Sequence, residues 1–232
     1  MSWSQLVPSE RTVSTVHKTA VAPSMLAADF SRIADEVKAV EKTGAEFLHL
    51  DVMDGQFVPA LTFGPILVAA IRRLTDMPLD SHLMVRNPER QIEPFVEAGS
   101  DIVVIHAEAS SDISRDLRDI RDRGVKSGLA INPDNTTQNI EAYLDDVDML
   151  LVMSVFPGKG GQAFMESSLA NVERAAEIRE RRGLGFAIQI DGGINPDTAV
   201  RARDAGAEIL VAGTAIFRTP DYQAAVDAIR GG

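Results

Sequence analysis

Four residues have the types and surroundings to do chemistry: His49 and Asp51 in the run HLDVMDG, His82 in DSHLMV, and Asp191 in IQIDGG. Short runs of this apolar texture predict buried strands. Side chains alternate along a strand, so His49, Asp51 and Met53 share one face while Leu50 and Val52 share the other. The same rule groups His82 with Met84 and delivers Asp191 to the end of its strand, just before two glycines. Two imidazoles and two carboxylates meeting on one rim suit a divalent ion of the zinc, manganese, iron or cobalt type. Taken singly, each residue has an ordinary explanation: buried histidines are often hydrogen-bonded structure, and strand-end aspartates often cap turns. Taken together, four such groups buried without partners would be expensive, and a cation would relieve the repulsion between the carboxylates. Met53, Met84 and Met153 end three strand segments. They either fill a core or form a polarizable lid that keeps water from the reacting carbons.

A second group of residues suits a phosphate. Gly192 and Gly193 follow Asp191 in DGGI, and Gly213 and Thr214 lie in VAGTAIF. Glycine lets backbone N–H groups approach an anion closely, and a helix starting near Asn195-Pro196 adds favourable polarity. The loop from Pro157 to Gln162, PGKGGQ, is placed to fold over a substrate as a flap through Gly158, Lys159, Gly160 and Gly161.

Repeated elements must bring these residues together. From Val21 onward, short apolar runs alternate with longer amphipathic stretches such as Phe30 to Glu41, Pro88 to Ala98 and Glu166 to Arg182. Strand ends are predicted at Ser24, Asp51, His82, His106, Asn132, Met153, Asp191 and Gly213. They are spaced by roughly 20 to 40 residues, as a strand, a helix and two loops require. Gly44, Gly99, Gly124 and Gly206 fall where helices should end. Eight such units predict an α/β fold: a single (β/α)8 TIM barrel of the phosphate-binding type over residues 21–232, preceded by a polar extension over residues 1–20. A doubly wound open sheet is the alternative, but the GxGxxG turn expected after its first strand is missing. In such barrels the active face lies at the C-terminal strand ends, and loops after strands 7 and 8 often hold phosphate. Both groups of residues then belong to one rim.

Composition narrows the function. The chain has 232 residues, no cysteine and a formal net charge of −11, which excludes disulfides and cysteine-ligated zinc or iron–sulfur sites. The negative surface disfavours nucleic acid and anionic lipid as partners. No apolar run is long enough to cross a membrane, and the Ser/Thr-rich start, which contains Trp3, lacks the apolar core of a secretory signal. The expectation is a cytoplasmic protein, assembled as a homo-oligomer, whose partner is a small molecule.

The set VAPSMLAADF, HLDVMDGQFVP, HLMV, PGKGGQ, IDGGI and VAGTAIF resembles the ribulose-phosphate 3-epimerase family, in order, from about Val21 to the C-terminus. HLDVMDGxFVP is the most specific of these motifs; the glycine turns are common to many phosphate-binding barrels. The resemblance implies that His49, Asp51, His82 and Asp191 bind one divalent metal ion, and that Asp51 and Asp191 are also the acid and base. It implies substrate contacts from Ser24, His82, Asp191, the flap at Gly158 to Gly161, Gly192, Gly193, Gly213 and Thr214. The implied reaction interconverts D-ribulose 5-phosphate and D-xylulose 5-phosphate at C3 through an enediolate, in the pentose phosphate pathway. Three positions depart from the family pattern. Ala60 stands where Asn is common, Lys159 where the flap usually has an aromatic, and Phe156 where a polar residue is usual. The altered flap motivates a second substrate, a related ketose phosphate such as allulose 6-phosphate. A phosphosugar lyase or decarboxylase and a non-catalytic phosphosugar-binding barrel are the remaining alternatives.

Overall fold

The computed structural model describes residues 19–231. Most of the expected extension, Trp3 included, lies outside them. The first strand, β1, runs from Ala20 to Pro23 and so starts inside the expected boundary of that extension.

Seven more strands follow: β2 (Leu48–Met53), β3 (Leu79–Met84), β4 (Ile102–His106), β5 (Lys126–Ile131), β6 (Met149–Met153), β7 (Ala187–Asp191) and β8 (Ile209–Ala212). All pair in parallel in the order β1-β8-β7-β6-β5-β4-β3-β2. Every predicted strand end lies within two residues of the observed one. The helices between strands are α1 (Ile33–Lys42), α2 (Pro65–Arg72), α3 (Ile92–Glu97), α4 (Ile113–Asp122), α5 (Leu169–Arg182) and α6 (Pro196–Ala205). After β8 come the short α7 (Thr214–Phe217) and the closing α8 (Tyr222–Arg230). This is a single (β/α)8 TIM barrel.

One crossover departs from the expected helix. Between β5 and β6 the chain winds as a 3₁₀ segment, Thr137–Tyr143. Its start, Thr136 to Asn139, has weak α-helix propensity. Thr137 is also tied to α5, its N–H to Asn171 Oδ1 and its hydroxyl to the Asn171 carbonyl.

The strands carry two separate apolar layers because alternate side chains face opposite ways. The outer layer, which includes Leu48, Leu50, Val52, Leu83, Val103 and Ile105, packs beneath the helices. The inner layer fills the barrel with Phe47, Val104, Met149, Leu151, Ile209 and others. Gly128 is required in this inner layer, since a Cβ there would lie 2.6 Å from Val104 Cγ2. Towards the C-terminal rim the inward positions turn polar. Register pairs His49 with Asp80, Asp51 with His82, and Met53 with Met84 on β2 and β3.

The seam between β1 and β2 has no regular ladder among the described residues. It is held by an isolated bridge between Ser24 and His49, and by Glu46, whose N–H donates to the Val21 carbonyl. The Glu46 carboxylate in turn accepts from the Val21 N–H at 2.8 Å and pairs with Arg230 of α8 at 3.1 Å. A side chain thus supplies bonds that the ladder lacks there, and ties the last helix across the closure.

Candidate active site

The site is built at the C-terminal ends of β2, β3 and β7. Strand alternation turns His49 and Asp51 of β2, His82 of β3 and Asp191 of β7 inward, where no helix competes for them. Both histidine rings are fully buried, and Asp51 is 4% exposed. His49 Nε2 lies 3.4 Å from Asp51 Oδ1 and 4.0 Å from Asp191 Oδ2. His82 Nδ1 lies 3.1 Å from Asp51 Oδ1 and 3.9 Å from Asp191 Oδ2. One ligand atom from each residue falls within 4.8 Å of all the others, so the four could hold a metal ion. With ligand bonds near 2.1 Å, the edges of a tetrahedron are about 3.4 Å long, and the observed separations bracket that value.

The donors fit a cation in a further respect. His49 Nδ1 lies 2.8 Å from the buried Asp80 Oδ2, which also accepts from Gln189 Nε2 at 2.8 Å. A carboxylate accepts, so His49 Nδ1 donates and its Nε2 keeps a lone pair aimed at Asp51 and Asp191. That buried Nε2 has no hydrogen-bond partner.

Without a metal, a proton is drawn to the same place. Burial works against a charged His49, yet the Asp80 and Asp51 carboxylates raise it well above the usual histidine range. Burial pushes His82 down to about 4, against the pull of Asp51. Burial would also raise Asp51, but the charge and hydrogen bonds of His49, followed by those of His82, hold it below the usual carboxylate range. Asp191 goes the other way, pushed up to about 7 by burial and by the Asp51 charge. Without a metal, the two carboxylates are thus shifted in opposite directions.

Above this cluster lies a cavity of about 590 Å³. Ser24, Asp51 and Asp191 line it, together with Met53, Met84 and Met153, and the Ser24 hydroxyl donates to Asp51 Oδ2 at 2.5 Å. Gly158 to Gly161, Gly192, Gly193, Gly213 and Thr214 form its rim. Every expected site residue except the two histidines is on the cavity wall. His49 and His82 lie behind it, so a direct His82 contact with substrate is not built into this arrangement. The flap already spans the mouth: a Cβ on Gly158 would lie 3.4 Å from Val58 Cβ, and one on Gly161 would lie 3.6 Å from Thr214 Oγ1. Gln162 fixes its turn by donating to the carbonyls of Phe156 and Lys159. Lys159 and Ala60 face the cavity, whereas Phe156 is 48% exposed and is not part of its wall.

The glycine turn after β7 needs glycine for two reasons. Gly192 has φ 121° and Gly193 has φ 63°, and Cβ atoms there would lie 2.6 Å from Val155 Cγ2 and from the Phe164 N. The helix that follows, α6, starts at the edge of the cavity, where Ile194 and Asn195 join the wall. The N-terminus of α6 is closed by Asn195, whose side chain accepts from the Asp197 and Thr198 N–H groups in a capping box. The uncapped start belongs to α7, where Gly213 offers no side-chain cap and Gly213, Thr214 and Ala215 face the cavity.

Three supporting residues were missed by sequence reasoning. Asp80 and Gln189 have the same inward parity as His82 and Asp191, two positions before each, and that spacing was a usable signal. Ser154 donates its hydroxyl to the carbonyls of Asp191 and Gly192, an arrangement that no spacing reveals.

The ribulose-phosphate 3-epimerase family profile matches residues 20–217. The chain is 45% identical to the ribulose-phosphate 3-epimerase of Bacillus subtilis over 91% of its own length and 98% of that protein's. It is 43% identical to the chloroplastic ribulose-5-phosphate-3-epimerase of Arabidopsis thaliana over 90% of its length and 75% of the relative's. Solved structures agree in fold. A 3-hexulose-6-phosphate synthase superposes with a TM-score of 0.68 at 18% identity, covering 91% of this chain and 97% of that one. KGPDC from Streptococcus mutans superposes with a TM-score of 0.72 at 15% identity, covering 92% and 96%. By profile match and sequence identity over almost all of the barrel, the chain belongs to the ribulose-phosphate 3-epimerase family.

Proposed function

We propose that the chain interconverts D-ribulose 5-phosphate and D-xylulose 5-phosphate by moving the C3 proton between substrate and two carboxylates, Asp51 and Asp191. The observation that carries this reading is the meeting of two histidines and two aspartates at the floor of a cavity rimmed by glycine turns. A divalent ion of the zinc, iron, manganese or cobalt type held there would supply Lewis-acid stabilisation of the enediolate oxygen charge.

The residues of the chain do the rest. In the closed order of eight strands, β2 and β7 are separated by β1 and β8, so Asp51 and Asp191 reach the centre from different sides. Inversion at a carbon needs that geometry: one carboxylate removes the proton from one face, and the other returns a proton to the opposite face. Asp51 as the anion removes the proton in one direction, and Asp191 as the acid returns one. The roles exchange in reverse. Ser24 holds one Asp51 oxygen in place. The three methionines keep water from the reacting carbon. The distal phosphate, at Gly192, Gly193, Gly213 and Thr214, supplies binding energy that fixes the sugar's orientation.

A related ketose phosphate is a second reading, favoured by Lys159 and Ala60 in the cavity wall. Epimerisation assayed on a panel of ketose phosphates, with and without chelator, separates the two. Ribulose 5-phosphate should turn over fastest, stripping should abolish turnover, and a divalent ion should restore it. Full activity in chelator, with no bound metal by elemental analysis, would refute the metal assignment. A cytoplasmic homo-oligomer belongs to the same reading, and is checked by cell fractionation and light scattering.

A further inference from the structure

His106, at the end of β4, is fully buried and lies outside both the metal cluster and the cavity wall. Its Nε2 is 2.8 Å from His82 Nε2, and the two rings stack with centroids 4.9 Å apart. Its Nδ1 is 3.2 Å from Glu108 Oε2. The other Glu108 oxygen accepts from the Asn132 N–H at 2.9 Å and from Asn135 Nδ2 at 2.7 Å. The strands thus place three side chains in a line, from the loop after β4 to the cluster.

The hydrogen-bond directions along this line follow from its outer end. Glu108 is held well into its ionised form: burial opposes this, but hydrogen bonds from His106, Asn132 and Asn135 bring it down to about 2. A carboxylate only accepts, so His106 Nδ1 donates to it. In a neutral His106 the other nitrogen, Nε2, is then an acceptor. His82 Nε2, 2.8 Å away, is then the donor, and in a neutral, metal-loaded His82 this leaves Nδ1, 3.1 Å from Asp51 Oδ1, with the lone pair that a cation beside Asp51 would take. On the other side of the cluster, Asp80 does the same for His49 in a single step.

We infer that Glu108 and His106 are positioning residues that fix the tautomer and ring orientation of His82, so that Nδ1 is the nitrogen offered to the metal. The inference rests on the proposed metal site and goes beyond it by assigning residues outside the ligand set. Outer partners of metal-bound histidines commonly change metal affinity by roughly 10- to 100-fold.

The test is Co²⁺ and Zn²⁺ affinity, measured by titration and chelator competition, on the wild-type chain and on Glu108→Leu, Glu108→Gln and His106→Leu. Glu108→Leu should weaken metal binding by roughly tenfold or more. Glu108→Gln keeps an oxygen that can accept from His106 Nδ1, and should recover most of that loss. Thermal unfolding of the metal-free variants checks the fold, and the partly exposed Glu108 keeps the test available should His106→Leu fail to fold. Ring ¹⁵N NMR of the Zn²⁺-loaded protein supplies a signature that a merely structural role would not give. His82 should carry its proton on Nε2 and His106 on Nδ1. Wild-type affinity in Glu108→Leu, or a proton on His106 Nε2 directed at His82, would overturn the inference. Failure of the wild-type chain itself to bind either ion would overturn the metal site, and this inference with it.

Discussion

At the scale of single residues, the proposed reading gives the cluster two jobs with four side chains, and mutations should separate them. Asp51→Asn and Asp191→Asn should each lower kcat by orders of magnitude, because an amide neither takes nor supplies a proton at a useful pKa. Both residues also reach the metal position, so metal content has to be measured on each variant; near-normal turnover in a metal-loaded variant would remove that residue from the chemistry. Asp80→Ala separates the jobs from the other side. Asp80 lies behind His49 and not in the cavity, so its loss should weaken metal binding roughly 10- to 100-fold while kcat at saturating metal stays close to wild type. Metal titration followed by assay checks both parts. The four residues themselves were legible in the sequence, because polar residues of metal-binding type stood at inward positions in otherwise apolar runs. Asp80 and Gln189 shared that parity and could have been found. His106 was placed only as a strand end, since its importance comes from the ring of His82 on the neighbouring strand. That contact exists only once β3 and β4 are in register.

At the scale of elements, the proposed reading has the flap and the turn after β7 control how substrate is held. Lys159 faces the cavity between glycines, and the flap backbone is fixed through Gln162. Lys159→Phe should therefore change KM and leave kcat nearly unchanged, as expected for a binding contact remote from the acid and base. A change in kcat alone would contradict this. Gly192→Ala places a methyl group against Val155 and forces an L-residue to φ 121°. It should cost roughly 1–3 kcal/mol in urea unfolding and raise KM for the phosphorylated substrate. Most elements were legible from their periods, and strand ends were accurate because a turn residue or glycine closes nearly every run. The crossover between β5 and β6 was not. Its helical period is present, but the ties from Thr137 to Asn171 that accompany its tighter winding join segments 34 residues apart. The capping box on α6 was written in the sequence as Asn195-Pro-Asp-Thr198, and it occupies two of the N–H groups at the start of that helix.

At the scale of the whole molecule, the barrel holds the chemistry only if it closes, and closure between β1 and β2 depends on side chains more than on a ladder. Glu46→Ala would leave the Val21 N–H and Arg230 without their shared carboxylate. It should cost about 3 kcal/mol of stability, as breaking a buried pair does. Urea unfolding measures that loss, and an unchanged KM would show that the seam is remote from the substrate. Eightfold repetition made the closed barrel legible. The means of closure was not, because Glu46 and Arg230 are 184 residues apart and carry no signal of pairing. On the proposed reading, closure also brings two carboxylates to the substrate from different sides, which is the claim that matters most for function. Epimerisation of D-ribulose 5-phosphate in D₂O by metal-loaded protein tests it directly. With two acids, the proton delivered comes from a carboxylate that exchanges with solvent between turnovers, so xylulose 5-phosphate should carry deuterium at C3 from the first turnovers. Product formed without early deuterium at C3 would mean that one base returns the proton it took, and would contradict the two-carboxylate account.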